Sequence, residues 1–189
     1  MVSDEDLWRY FALDYVTARQ RFLDACEKAG AELTTLTLSV RGPSDERLSI
    51  DVAYLGPDSP TRLLIHTSGV HGVEGFPGSA VQVRMLERWA AGDLQVPEGC
   101  GILIAHSINP YGFAWLRRVN EDNADLNRNF LPPDEAYIGE PDRYHELDGL
   151  LNPHSYDTAF DLFRLKAAWV MFRMGFNVAK QTVAEGQYE

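Results

Sequence analysis

Two side chains able to bind a metal stand three positions apart in GVHGVEGFPGS (residues 69–79), namely His71 and Glu74. A neutral imidazole and a carboxylate are good zinc donors, and a hydrolytic zinc site uses three protein ligands with one position left open. On a turn that follows a rigid strand, such a pair can converge on one ion. The same spacing also suits two loop residues that hydrogen-bond nearby backbone. Glycine-rich loops can instead cradle phosphate, but neither GxGxxG nor GxxxxGK[ST] is present, and Glu74 would repel the anion. Metal site and glycine-rich turn stay open on this stretch alone.

A second polar cluster lies in HSINPYGFAWLRRVNEDNADLNRNF (106–130), with Arg117, Arg118, Asp125, Asn127 and Arg128. Arginine paired with asparagine can grip a carboxylate through bidentate hydrogen bonds. An arginine beside a metal can also stabilise an oxyanion. Against this stands a plain electrostatic role, in which the arginines neutralise Glu121, Asp122 and Asp125.

The elements that must position these residues read as α/β. Ser3 with Asp6 resembles a capping box, and apolar residues from Trp8 to Ala29 recur at three- and four-residue steps, predicting a helix over roughly 4–29. ELTTLTLSV (32–40) and LSIDVAYLG (48–56) flank a turn and predict a hairpin. RLLIHTS (62–68) and GILIAHSI (101–108) are short apolar runs of the kind found in strands covered on both faces. Between them GSAVQVRMLERWAAG (78–92) has helical periodicity, with Gly92 as its stop. That order is a βαβ unit, so the expected fold is a mixed, largely parallel central sheet flanked by helices. Ligands in such folds bind beyond the carboxyl ends of the strands, where both polar clusters fall. Residues 109–153 read as ordered loop, and Phe160 to Val178 define one long helix over about 155–184.

A single domain is expected for 189 residues. A net charge of −11 argues against nucleic acid or an anionic membrane as partner. The longest wholly apolar run, AAWVMF (167–172), is far shorter than the roughly 18 residues a membrane helix needs. Cys26 and Cys100 are the only cysteines and lack CxxC spacing, which predicts neither a disulfide framework nor a thiolate metal site. With no basic, apolar leader at the start, a reducing cytoplasm is the expected compartment.

Taken in order, HGVEG after one apolar strand, NPYG after the next, then DLNRNF and the closing EGQY resemble the zinc metallocarboxypeptidase superfamily. That superfamily includes carboxypeptidase A-like peptidases and the aspartoacylase and succinylglutamate desuccinylase deacylases; the wording is most similar to a bacterial branch of uncharacterised function. The resemblance spans roughly 60–189. It implies that His71 and Glu74 are two of three zinc ligands, and that Asp125 hydrogen-bonds the ligand histidine. It implies further that Asn127 and Arg128 bind a free substrate carboxylate, and that Arg117 or Arg118, the latter preferred, polarises the scissile carbonyl. The implied reaction is hydrolysis of a peptide or N-acyl amide bond next to a carboxylate, with Zn2+ as cofactor and a carboxylate-bearing small molecule or peptide as substrate.

Two parts of that pattern find no match: a third ligand histidine on a later strand, and a catalytic glutamate beyond it. His145 and His154 lie in a polar segment without a preceding strand and read as surface residues. His106 reads as a buried, hydrogen-bonded residue near the site, His66 as a satisfied core histidine, and Glu185 and Glu189 as poor candidates for the base. The expectation is therefore the N-terminal portion of such a domain, incomplete at the C-terminus and inactive by itself, with weak or no zinc binding. The last helix should then expose an apolar face, a route to self-association. The competing reading is a non-catalytic remnant, a carboxylate-binding or interaction module.

Overall fold

A computed structural model describes residues 7–130, 132, 134, 143–151 and 162–185, with side chains up to 183. The chain divides into two compact units, 1–121 and 122–189.

In the first unit a 3-10 turn, Trp8–Tyr10, precedes helix α1, Tyr15–Ala29. The proposed cap at Ser3 and Asp6 lies outside the described residues, and α1 starts later than its periodicity suggests. Asp14 sets that start: its carboxylate accepts from the Thr17 N–H at 2.7 Å, while Gly30, at φ 66°, closes the other end. Strands β1 (Glu32–Arg41) and β2 (Arg47–Leu55) form the expected antiparallel hairpin. Strand β3 (Arg62–Thr67), helix α2 (Gly75–Ala90) and strand β4 (Cys100–His106) follow, then helix α3 (Pro110–Trp115).

The sheet order is β1-β2-β4-β3. β3 and β4 pair in parallel, as a βαβ unit requires, whereas β2 runs antiparallel to both β1 and β4. The mixed α/β sheet with flanking helices is thus present, but among the described strands its parallel part is a single pair. The hairpin is the reason, because it delivers β2 rather than a crossover strand to the inner edge of β4.

Alternation along β2 and β4 points Ala53, Ile102 and Ile104 to one face, where they bury with Phe22, Ala25 and Cys26 of α1 and Ala80, Val83 and Leu86 of α2. The expectation for β3 does not hold. Leu63, Leu64 and Ile65 are 50–60% exposed, because β3 is an edge strand whose described partner lies on one side only. An apolar run reports strand-forming residues and not the number of neighbours they find.

Polar groups are built into this core. Asp51, fully buried, receives both Nε and Nη2 of Arg19 at 2.6 and 3.0 Å and the Thr35 hydroxyl at 2.7 Å. His106, its partner across the β2–β4 ladder, stacks on Phe22 and holds the Ser79 hydroxyl at 2.9 Å. Tyr15 donates to the Ser49 carbonyl and accepts from the Ser49 N–H, and burial pushes its phenol up to about 12. Cys26 and Cys100 are both free, and burial pushes the Cys26 thiol up to about 12 as well.

In the second unit a 3-10 turn, Leu126–Arg128, and helix α4 (His145–Leu151) replace part of what reads as loop. The single long helix expected at 155–184 is two helices among the described residues, α5 (Phe163–Met174) and α6 (Phe176–Glu185). Gly175 separates them at φ 84°, a conformation that ends α5 and that side-chain-bearing residues adopt at a cost. Leu165, Trp169, Phe172 and Phe176 are more than half exposed there, the apolar helix surface the sequence predicts. No helix among the described residues is long and apolar enough to cross a membrane.

Burial pushes the His106 imidazole down to about 4, below the value of about 6.5 expected unfolded. The unfolded chain therefore binds the extra proton between those limits. Stability should be complete above about pH 6.5 and fall as the pH drops towards 4, by up to about 3 kcal/mol from this group. His106→Gln retains a partner for Ser79 but does not titrate. Its urea midpoint should decline less than that of the wild type between pH 7 and pH 4.5.

Candidate functional site

His71 and Glu74 are placed by the exit of β3. After Thr67 the chain passes Gly69 at φ 65°, reaches His71 in extended conformation, and enters a 3-10 turn, Gly72–Glu74, continuous with α2. The turn closes through the Glu74 N–H on the His71 carbonyl at 3.1 Å. It brings His71 Nδ1 to 3.3 Å from Glu74 Oε1, with the imidazole largely buried and the carboxylate 65% exposed.

That separation bears on metal binding. Donors about 2.0–2.1 Å from a tetrahedral zinc are about 3.3–3.4 Å apart. The pair therefore spans one edge of such a shell and presents it to solvent through Glu74. No group of three or more histidine, cysteine, aspartate or glutamate side chains suited to a metal occurs among the described residues. The residues present fit two ligand positions and leave the third unassigned.

The first part of the second cluster, up to Arg118, is carried to this loop by the exit of β4. Ser107, Ile108 and Asn109 lead into α3, where Asn109 is the N-cap and Pro110 the first helical residue, a pairing suited to a helix start. α3 ends at Leu116 in the left-handed region (φ 54°), and the chain turns back through Arg117 and Arg118. Their carbonyls accept from the first loop: Val73 N–H to Arg117 at 3.0 Å, Gly72 N–H to Arg118 at 3.4 Å. Arg118 Nη1 lies 4.0 Å from Glu74 Oε1. Of the two arginines, Arg118 has the described contact with Glu74, and Arg117 contributes its backbone to the turn.

Close approach of the loops depends on glycine. A Cβ on Gly72 would overlap the backbone of Gly112 and Phe113, and one on Gly75 would meet the Phe113 ring at 2.8 Å. Behind them, buried Gln82 of α2 ties the two strand ends together. It accepts from the Ser68 hydroxyl at 2.9 Å, donates to the Ala105 carbonyl at 3.0 Å, and lies 3.2 Å from His66 Nδ1. His66 thus has a hydrogen-bonding partner, and His106 is buried against Ser79. Neither Gln82 nor Asn109 stands out as functional in the sequence; the Asn-Pro pair after an apolar run is the one available signal.

In the second unit Asp125, 2% exposed, organises its own turn. Its Oδ1 accepts from the Asn127 N–H at 2.9 Å, and its carbonyl accepts from the Arg128 N–H at 2.8 Å and from the Asn129 side chain at 3.1 Å. Asn127 and Arg128 are exposed on that turn. His145 begins α4 and is exposed. His154, Glu189 and the side chain of Glu185 lie outside the described residues.

Residues 11–189 match the family described as "Protein of unknown function (DUF2817)". The chain belongs to that family. No curated protein matches it. Among solved structures it is similar to the glutaminyl cyclase of Fimbriiglobus ruber, at 17% identity and a TM-score of 0.35, covering 53% of this chain and 41% of that one. It is also similar to the glutaminyl cyclase of Tannerella forsythia (14%, TM-score 0.38, 66% and 50%). A third is a Zn-dependent exopeptidase from Parabacteroides distasonis (13%, TM-score 0.34, 75% and 49%). This chain spans half or less of the length of each. The likeness is too slight to carry an activity across.

Gly72→Ala should lower stability by about 3 kcal/mol, the upper end of overpacking, because its Cβ meets backbone that cannot rotate away. Urea unfolding followed by tryptophan fluorescence measures it; a loss below 0.5 kcal/mol, roughly the surface-substitution level, would refute the close approach.

Proposed function

We propose that this DUF2817 chain carries the metal-binding and carboxylate-binding residues of a zinc-dependent hydrolase of peptide or N-acyl amide bonds adjacent to a carboxylate. The reading is supported chiefly by one observation: His71 Nδ1 and Glu74 Oε1 lie 3.3 Å apart on a turn held by backbone bonds, with Arg118 beside them. The order of HGVEG, NPYG and DLNRNF supports the finer assignment to the zinc metallocarboxypeptidase superfamily.

In this reading His71 and Glu74 are two of the ligands of a three-ligand shell. Zinc, when bound, supplies Lewis acidity towards a carbonyl and lowers the pKa of water towards neutrality. The chain's own residues do the rest. Arg118 sits where a guanidinium can donate to a carbonyl oxygen as negative charge develops on it, the stabilisation an oxyanion needs. Asn127 and Arg128 hold the substrate's free carboxylate, with the planar guanidinium fork matching its two oxygens. The resemblance assigns Asp125 to the ligand histidine, and carboxylates in that role fix the tautomer a ligand presents.

The test is zinc titration of the whole chain by calorimetry at pH 7.5. One site is expected, weak because only two ligands are assigned, with affinity falling at least about tenfold in His71→Ala and in Glu74→Gln. Equal affinity in His71→Ala would reject the ligand assignment. Binding of a small carboxylate that is lost in Arg128→Gln, without any zinc binding, would leave the carboxylate-binding module alone standing.

A further inference from the structure

Asn109 touches both halves of the candidate site with three different groups. Its backbone N–H donates to the Gly69 carbonyl at 2.8 Å, on the approach to His71. Its side-chain oxygen accepts from the Gly112 N–H at 2.8 Å and caps α3. Its side-chain amide donates to the Arg118 carbonyl at 3.3 Å. The Arg118 carbonyl is the same oxygen that receives the Gly72 N–H. With 1% exposure, the side chain has no solvent substitute for either bond. The space is closed by Gly112, where an added Cβ would lie 2.7 Å from Asn109 Nδ2, the Arg117 carbonyl and the Val119 carbonyl alike.

We propose that Asn109 is a positioning residue, which holds the Arg117–Arg118 backbone against the Gly72–Val73 turn and so sets the Arg118 guanidinium beside Glu74. The inference rests on the reading of His71, Glu74 and Arg118 as one site. The chemistry of the position admits few other residues. Aspartate has the same shape and keeps the acceptor for Gly112, but turns a second acceptor towards the Arg118 carbonyl. Serine retains a capping oxygen and replaces the amide donor with a shorter hydroxyl, without adding repulsion. Glutamine carries both groups one methylene too far for a filled pocket. An α3 cap alone would be served by aspartate or serine as well as by asparagine. The bond to Arg118 is what requires the amide.

Two variants separate the cap from the clasp, Asn109→Asp and Asn109→Ser. Residue-resolved amide exchange reads the Gly112 N–H, which reports the cap, and the Val73 N–H, which reports the clasp. In Asn109→Asp, Val73 should exchange at least about tenfold faster while Gly112 stays within about threefold of wild type, with Asn109→Ser intermediate at Val73. Zinc affinity should fall about fivefold or more in Asn109→Asp, because the ligand turn is no longer preorganised. General destabilisation would instead raise exchange at both amides together and leave the zinc affinity of the folded protein unchanged. Unchanged exchange at Val73, or a parallel rise at both amides in both variants, overturns the proposal. If Asn109→Asp does not fold, Asn109→Ser decides it on the same two amides. If the wild-type chain binds no zinc, the ligand assignment fails, and the Val73-to-Gly112 exchange ratio still decides the role of Asn109.

Discussion

Backbone meets backbone where the loops after β3 and β4 cross, and the site depends on that contact. Val73 and Gly72 donate to Arg117 and Arg118 across it, and Gly72 lies directly against Gly112. Side chains at 72 or 112 would drive the loops apart, and the distance from Arg118 to Glu74 would grow with them. The glycines of HGVEG and NPYG therefore serve a packing requirement first. The polar residues between them inherit their geometry from it, since a site held by backbone hydrogen bonds has fewer soft torsions than one held by long side chains.

That contact needs a firm base, and the first unit supplies it with buried polar groups rather than with apolar packing alone. Gln82 joins the end of β3 to the end of β4, and Asp51 with Arg19 joins β2 to α1. A fully buried carboxylate is expensive to desolvate, and the bidentate guanidinium with the Thr35 hydroxyl offsets that cost. Such networks are poor sources of net stability, but each fixes one relative position of two elements. Gln82 fixes the strands from which the loops depart, and Asp51 with Arg19 fixes the neighbouring strand on which β4 pairs. Neutral His106 extends the same arrangement, joining β4 to α2 through Ser79 without carrying charge into the core.

Sequence patterns resolved this architecture unevenly, for physical reasons that differ by element. The hairpin, α2 and the βαβ order are local consequences of alternation, periodicity and turn residues, so they are legible. The exposure of β3 is not, because the run RLLIHT contains no information on whether a second strand lies beyond it. The break at Gly175 was hidden by apolar periodicity that continues across it, since a glycine can end a helix without disturbing the pattern on either side. His71 and Glu74 are visible because their chemistry is distinctive, as are the polar residues Asp125, Asn127 and Arg128, to which the resemblance gives roles. Gln82 and Asn109 are invisible for the opposite reason: amides act here by joining backbones, and nothing in composition or spacing marks which amide does so.

Energetic ordering within the site also bears on which groups can act. Arg118 and Glu74 form an exposed ion pair at 4.0 Å, and pairs of that kind contribute about 0–1 kcal/mol because water screens them. The backbone of Arg118, by contrast, is fixed by the Gly72 N–H and the Asn109 side-chain amide. Main-chain bonds, and not the screened ion pair, therefore set where Arg118 stands. Arg117, whose carbonyl takes the shorter of the two backbone bonds, holds the same stretch in place.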